Sequence, residues 1–322
     1  MVKVFIDGQE GTTGLRIAER LTAQSNIELL SIPEALRKDS DARRQRINQS
    51  DVTILCLPDE AAIESVSLIE NPQVKVIDAS TAHRTALGWA YGFPELSPTH
   101  RDAVATGMRV TVPGCHAGGF AALAYPLVSH GVIAQSAPLV CHSLTGYSGG
   151  GKKMIAEYEA ADKRAELFSP RQYGLSQVHK HLPEMRHVCG LTYPPLFHPI
   201  VDDYYSGMLV CLSLHQSMLK KGMGLDAIRE MMAEHYAGQK LVHVMTAQDE
   251  KNMGGMLAAN ALSGRDDMEI WVTGNDSRMV LMARFDNLGK GASGAAVQCL
   301  NMMMGREETT GLYFYTNEGE GI

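Results

Sequence analysis

Short, uniformly apolar runs alternate with helix-like stretches over the first hundred residues. Val2–Asp7, Ile27–Ser31, Val52–Leu57 and Val74–Asp78 read as strands. Leu15–Ala23 reads as a helix with Leu15, Ala18 and Leu21 on one side, and Asp41–Asn48 and Asp59–Ile69 read as two more. Strands apolar throughout and separated by helices imply a parallel sheet covered on both faces.

The pattern changes near residue 115. Ala117–Ser129 reads as an apolar helix and Leu139–Thr145 as a strand, ending in the loop Gly146-Tyr147-Ser148-Gly149-Gly150-Gly151. A polar helix, Lys152–Arg164, follows. Met208–His215 then alternates, with Met208, Val210, Leu212 and Leu214 on one face. Glu269–Thr273 and Met279–Phe285 flank the turn-like Gly274-Asn275-Asp276-Ser277. Alternation of this kind marks an antiparallel sheet with one packed face. A final helical pattern covers Ala292–Met304. The expected division is a first domain over 1–115 and a second over 116–290, with the helical stretch of about 291–322 packing back onto the first.

At 322 residues the chain is long enough for two lobes, because single cores stop growing at about 250–300 residues. The net charge of −7 argues against general binding to phosphate backbones, so no nucleic-acid partner is expected. The most apolar stretch, near Gly119–Val128, falls far short of the roughly 20 residues that span a bilayer. The chain opens directly on an apolar strand pattern, unlike a signal peptide. Six cysteines are scattered with no CxxC pair, which speaks against zinc spacing or a disulfide framework. The expectation is a reduced, cytoplasmic protein without membrane or metal.

The first strand runs into Gly8-Gln9-Glu10-Gly11-Thr12-Thr13-Gly14 and then a helix. Glycines there let the chain turn tightly, approach a pyrophosphate and pack the helix on the sheet, while the first N–H groups of the helix face the phosphates. The spacing is GxxGxxG rather than GxGxxG. Its place between a first strand and a first helix is what points to a dinucleotide. Gly8, Gly11, Thr12, Thr13 and Gly14 are the candidate cofactor contacts. About 20 residues on, an NAD site carries Asp or Glu. Here Ser31 stands in that position, followed by Arg37, Lys38, Arg43 and Arg44, so NADP(H) is favoured, with Ser31 and Arg37 as candidates for its extra phosphate.

Cys115 lies between the strand-like Val110-Thr111-Val112, the turn Pro113-Gly114 and an apolar helix. A thiol at a helix N-terminus meets unpaired N–H groups and a favourable dipole, which stabilise thiolate and an oxyanion. A thiolate beside a nicotinamide suits redox interconversion of an acyl group and an aldehyde through a thioester. Such a site needs an acid/base group. His179 and His181, in His179-Lys180-His181-Leu182-Pro183-Glu184, are the best histidine cluster and would share one side of an extended segment.

These residues resemble the N-acetyl-gamma-glutamyl-phosphate reductase family in its shorter form, with the wider aspartate-semialdehyde dehydrogenase-like layout. The likeness runs through the Gly8–Gly14 loop, Asp78-Ala79-Ser80-Thr81-Ala82-His83-Arg84, Tyr91-Gly92-Phe93-Pro94-Glu95 and Val112-Pro113-Gly114-Cys115. It continues in Ser148-Gly149-Gly150-Gly151-Lys152, in the His179–Glu184 element and in Asn287-Leu288-Gly289-Lys290-Gly291-Ala292-Ser293-Gly294. The resemblance implies a Rossmann-type parallel-sheet domain plus an α+β catalytic and dimerisation domain with a largely antiparallel sheet. It implies Cys115 as acyl acceptor, His179 or His181 as acid/base, and NADPH-dependent reduction of an acyl phosphate with release of inorganic phosphate, in arginine biosynthesis. His116 follows the nucleophile where the longer form commonly has an aromatic residue, and offers a second imidazole. For the polyanionic substrate, Arg84 and Lys152 are candidate cations, with Ser148 and Gly149 lining the same space. Ser80 and Asn287 are candidate cofactor contacts. A homodimer or homotetramer is the expected assembly. The alternatives are a related dehydrogenase acting on aspartyl phosphate and a non-catalytic NADP sensor.

Overall fold

The computed structural model describes residues 1–316 and 319–321, and the chain divides into two compact units. The first comprises 1–113 together with 292–312. Its elements begin with β1 (Val2–Asp7), α1 (Thr12–Thr22), β2 (Ile27–Leu30), α2 (Ser40–Gln49), β3 (Val52–Leu55) and α3 (Asp59–Ser67). β4 (Lys75–Asp78), β5 (Ala90–Tyr91), α4 (Pro98–Thr106) and β6 (Arg109–Thr111) follow. Every strand pairing is parallel, in the order β2-β1-β3-β4-β6-β5. Val4, Phe5, Ile6, Val52, Ile54 and Ile77 are buried because helices cover both faces of the central strands. In α1 the buried positions Gly14, Ile17, Ala18 and Leu21 recur at helical spacing. α2 starts where the Asp39 carboxylate caps Ala42 N–H, and α4 where Ser97 caps His100 N–H ahead of Pro98.

The second unit comprises 114–291 and 313–321. It opens with α5 (Cys115–Ser129), β7 (Val140–Gly146), α6 (Gly151–Glu159), β8 (Arg171–Gln172), α7 (Leu182–Val188), β9 (Leu196–Asp202) and β10 (Met208–His215). α8 (Leu225–His235), β11 (Val242–Val244), α9 (Ala247–Asn252), β12 (Met268–Asn275) and β13 (Arg278–Phe285) follow. Seven strands form one sheet in the order β11-β12-β13-β10-β7-β9-β8. The sheet is largely antiparallel, as the alternating strands require, with β7–β9 and β11–β12 as its two parallel pairs. α5 lies directly on it. A Cβ on Gly119 would stand 2.5 Å from Val210 and 2.8 Å from Phe285, so only the absence of a side chain permits that approach.

The chain then returns to the first unit through α10 (Gly294–Met303), which packs on α4, α1 and β4. Gln298 of α10 donates to Glu95 at 2.8 Å and to Glu308 at 2.9 Å, and Arg101 of α4 reaches Glu308.

Several element bounds depart from the sequence expectation. The helix expected over Lys152–Arg164 stops at Glu159, where Ala160 turns extended. The strand from Val52 ends at Leu55, and β12 and β13 extend to close their hairpin on Asp276-Ser277, held by Asn275 Oδ1 accepting from Ser277 and Arg278 N–H. β9 was not expected at all, because Pro199 interrupts its apolar run. His179 and His181 do not lie on an extended segment. The chain turns there, Leu182 N–H donating to His179 O, and His181 stands at the N-cap position of α7 without a side-chain capping bond.

Candidate functional site

In the first unit the strand order reverses between β1 and β3, and the crevice beyond their carboxyl ends is where open α/β sheets bind ligands. Gly8 stands there with φ +84°, and a Cβ on it would lie 2.4 Å from Cys56 O. Gly14 is equally constrained, since its Cβ would meet Gly8 O at 2.6 Å. Gly11 is the open member: a Cβ there meets nothing closer than 3.5 Å. It is also the N-cap of α1, with no side-chain cap, so the N–H groups of Thr12, Thr13 and Gly14 face outward with no carboxylate in the first turn. This cradle fits a pyrophosphate.

The basic residues after β2 separate into two kinds. Arg43 is buried, donating to Asp7 at 3.1 Å, to Glu64 at 2.9 Å and to Ser65, and so ties α2 to the end of β1 and to α3. It is a structural cation. Arg44 pairs with Asp41 on the surface. Ser31 and Arg37 are exposed, Arg37 at 3.8 Å from Glu34. The sequence reading missed Arg46, which donates to Ser31 O at 2.9 Å from the last turn of α2. Ser80 is buried and donates its hydroxyl to Asp78, which also accepts from Ser80 N–H and contacts His83 Nδ1 at 2.6 Å. Arg84 donates to Val112 O at 3.0 Å and Ala79 O at 3.2 Å.

The second unit carries the candidate nucleophile. Cys115 is the first residue of α5, half-buried, with Gly114 as an N-cap that has no side chain. Gly114 N–H donates instead to Glu184, a buried carboxylate on α7, at 2.8 Å. Gly291 presses on the other side, where a Cβ would lie 3.0 Å from Cys115 Cβ. Burial pushes the thiol of Cys56 up to about 12 and that of Cys211 up to about 11, and raises those of Cys141 and Cys189 as well. Those four are held as neutral thiols.

The residue after Cys115, His116, sits in a ring cluster. His116 is buried, its Nδ1 2.6 Å from Ser143 Oγ and its Nε2 2.7 Å from the Tyr173 hydroxyl. The rings of His179 and His181 lie 5.9 and 5.5 Å from that of His116, and 4.8 Å from one another. Phe197 closes the group at 5.3 Å from His116 and 5.1 Å from His179. Burial, then the neighbouring His179 and Lys180, push the His116 imidazole down to about 3. Burial and Lys180 also lower His179. His116 is therefore a neutral imidazole at ordinary pH.

Ser148 and Asn287 belong together: the Asn287 amide donates to Ser148 Oγ at 3.0 Å and accepts from Gly207 N–H at 2.9 Å. Gly149 lies beside that amide, and Lys152 is exposed at the start of α6. Three site neighbours escaped the sequence reading. Glu184 stood inside a motif already singled out, whereas Tyr173 and Ser143 sit 57 and 27 residues from their partner His116, with no local signal.

A profile described as semialdehyde dehydrogenase, NAD binding domain, matches residues 3–104, and one described as semialdehyde dehydrogenase, dimerisation domain, matches 115–287. N-acetyl-gamma-glutamyl-phosphate reductase 2 of Nostoc sp. is 45% identical over 318 residues, covering 96% of this chain and 99% of that protein. N-acetyl-gamma-glutamyl-phosphate reductase of Burkholderia cenocepacia is 42% identical over 304 residues, covering 94% and 97%. Among solved structures, aspartate semialdehyde dehydrogenase from Francisella tularensis superposes with a TM-score of 0.70 at 15% identity, covering 94% of this chain and 100% of that one. The Candida albicans enzyme solved with NADP gives 0.64 at 15% identity, with 94% and 98% covered. At such identity the structural likeness is one of fold. The sequence matches over nearly the whole length go further: the chain belongs to the N-acetyl-gamma-glutamyl-phosphate reductase family, within the aspartate-semialdehyde dehydrogenase-like superfamily.

Proposed function

We propose that the protein reduces N-acetyl-gamma-glutamyl phosphate to N-acetylglutamate semialdehyde with NADPH, releasing phosphate, as a step of arginine biosynthesis. The observation that carries this reading is Cys115 at the first position of α5, beside a cluster of three imidazoles in the same unit. The Cys115 thiolate attacks the acyl carbon, the C–O bond to phosphate breaks, and a thioester forms. The N–H groups of the first turn of α5 hold the tetrahedral oxyanion. NADPH, when bound, supplies the hydride that reduces the thioester carbonyl. His179 or His181 protects the resulting oxygen with a proton and takes it back as the carbonyl reforms and the thiolate leaves. Their rings adjoin at 4.8 Å, and a histidine whose proton affinity is lowered, as that of His179 is, gives its proton up readily once it has taken one from the Cys115 thiol.

For the cofactor, Gly8, Gly11, Thr12, Thr13 and Gly14 would hold the pyrophosphate, with Ser31, Arg37 and Arg46 toward the 2′-phosphate. Ser80, its hydroxyl on Asp78, is a further candidate cofactor contact, and Arg84, held by the Val112 and Ala79 carbonyls, is a candidate cation for the substrate. For the substrate, Lys152 and the newly recognised Lys180 supply exposed positive charge, with Ser148 and Gly149 as neighbours and Asn287 fixing their loop. We further infer a homodimer or homotetramer.

The deciding experiment is phosphate-dependent reduction of NADP with N-acetylglutamate semialdehyde, set against aspartate semialdehyde. Turnover confined to the acetylated substrate supports the reading. Preference for the free amino aldehyde moves the chain to the aspartyl relative's reaction. No turnover, with Cys115 alkylating no faster than the other five thiols, makes it a nucleotide-binding sensor.

A further inference from the structure

β8 and β9 pair antiparallel at Arg171 with Val201 and Gln172 with Ile200, and Tyr173 N–H adds one more bond to Pro199 O at 3.0 Å. A proline has no N–H to return, and the ladder stops there. Gly174, with φ +61°, turns the chain away. Phe197 is buried and stands two residues before Pro199 on β9, so its N–H and carbonyl need partners that a longer β8 would have supplied. The Gln177 carboxamide supplies both: its Oε1 accepts from Phe197 N–H at 2.9 Å, and its Nε2 donates to Phe197 O at 2.8 Å. Only one orientation of the amide can satisfy the pair. Gln177 adopts φ +57° to reach them, as the one non-glycine residue with positive φ among the described residues, and its own N–H donates to Gly174 O. That backbone costs an L side chain energy, and the two bonds to Phe197 offset it.

The clasp bears on the site because His179, two residues on, packs against the same phenylalanine. Its ring lies 5.1 Å from that of Phe197, 5.9 Å from that of His116 and 6.0 Å from that of Tyr173. Phe197 is thus held through its backbone by Gln177 and through its ring by His179. The apolar side chains of the turn offer no such hold, Leu175 being 74% and Val178 83% exposed. A surface turn with so little buried apolar contact opens easily, and the imidazole that follows it would move with it. We propose that Gln177 is a positioning residue for the acid/base group: its carboxamide takes the place of a strand residue beside β9 and holds the His179 imidazole against Phe197 and His116. This deepens the function proposed above and rests on His179 serving there as acid/base.

The test uses the full-length protein carrying Gln177→Gly, which suits a left-handed backbone and lacks the amide, so that strain and clasp are separated. Acylation by diethyl pyrocarbonate, located by mass spectrometry, reads the His179 ring without turnover. Its rate at His179 should rise severalfold, while His83 in the first unit keeps the parent rate. In the phosphate-dependent assay kcat should fall by about 10- to 100-fold, the size of an ångström-scale misplacement, with KM near the parent's. In a His179→Asn background the same substitution should cost kcat nothing further, because the group it positions is gone. Gln177→Asn also tolerates the backbone but leaves the amide a methylene short. It should act in the same direction, and it decides the matter should Gln177→Gly not fold. An unchanged acylation rate at His179 in a folded variant overturns the proposal, and so does an equal loss of kcat with and without His179. Full kcat in His179→Asn overturns the parent reading of His179, and this proposal with it. That failure is told apart from failure of the clasp because the acylation rate would still rise.

Discussion

The two units build their candidate sites from different material. In the first, the cradle is backbone: N–H groups at the start of α1, exposed because Gly8 and Gly14 leave no room for anything else. Its polar side chains are largely spent on one another, Arg43 on Asp7 and Glu64, Ser80 on Asp78. In the second, the site is side chain, a thiol with three imidazoles, a phenol and a buried carboxylate. A backbone site tolerates many side chains but no change of backbone conformation. A side-chain site is the reverse, and substitutions in the two units should therefore fail in different currencies.

The sharpest break is Cys115→Ser. Removing a nucleophile costs on the order of 10⁴-fold or more in kcat, while leaving the first unit and its NADPH affinity as they are. Steady-state rates and fluorescence titration with NADPH measure the two sides. Loss of both together would mean that the sulfur holds structure rather than carries chemistry.

On the first unit the largest effect should come from Arg43→Met. It leaves Asp7 buried without its cation, a change that costs about 3–5 kcal/mol, read by urea unfolding. Gly8→Ala comes next, at about 2–4 kcal/mol, because the new methyl meets Cys56 O in a left-handed backbone. Gly11→Ala in the same loop is the control. Its methyl has space, so stability should hold while NADPH affinity weakens under the methyl's intrusion on the phosphate.

Those contrasts also explain what could be read from the chain directly. The parallel sheet was legible because each buried strand is a contiguous apolar run, and the glycine loop because its constraint is local. Cys115 was legible because strand, turn and helix flank it in sequence. Arg43 was not: a run of cations looks like a solvated face until Asp7, 36 residues away, is brought beneath it. Tyr173 and Ser143 were invisible for the same reason. β9 was hidden by Pro199, and the turn at His179 by a two-residue spacing that an extended chain would equally produce.

The second unit should be the more acid-sensitive at one defined place. His116 is pushed down to about 3 in the folded protein, against an ordinary value near 6.5 once unfolded. As pH falls below about 6.5 the unfolded chain takes up a proton that the folded chain refuses, so stability present above 6.5 is lost at roughly 1.4 kcal/mol per pH unit. His116→Gln lacks this loss. Its deficit relative to the parent, measured by urea unfolding at pH 7.5 and again at pH 5, should shrink on acidification. A constant deficit would show that His116 takes up its proton in the fold as readily as in the unfolded chain.

The smallest effect tests which cation beyond β2 reads the cofactor. Arg37 is exposed and loosely paired with Glu34, whereas Arg46 is fixed on the Ser31 carbonyl. A fixed guanidinium loses less freedom on meeting a phosphate than a loose one, so Arg46→Ala should erode the preference for NADP over NAD more than Arg37→Ala. Exposed pairs of this kind contribute up to about 1 kcal/mol, which sets a ceiling of about fivefold in the ratio of kcat/KM for the two cofactors. Arg43 should leave that ratio untouched in any variant that still folds, because its guanidinium is already engaged by Asp7, Glu64 and Ser65. If Arg37 dominates instead, its guanidinium must leave the Glu34 carboxylate when cofactor binds, and the effect of Glu34→Gln on the same ratio would then run opposite to that of Arg37→Ala.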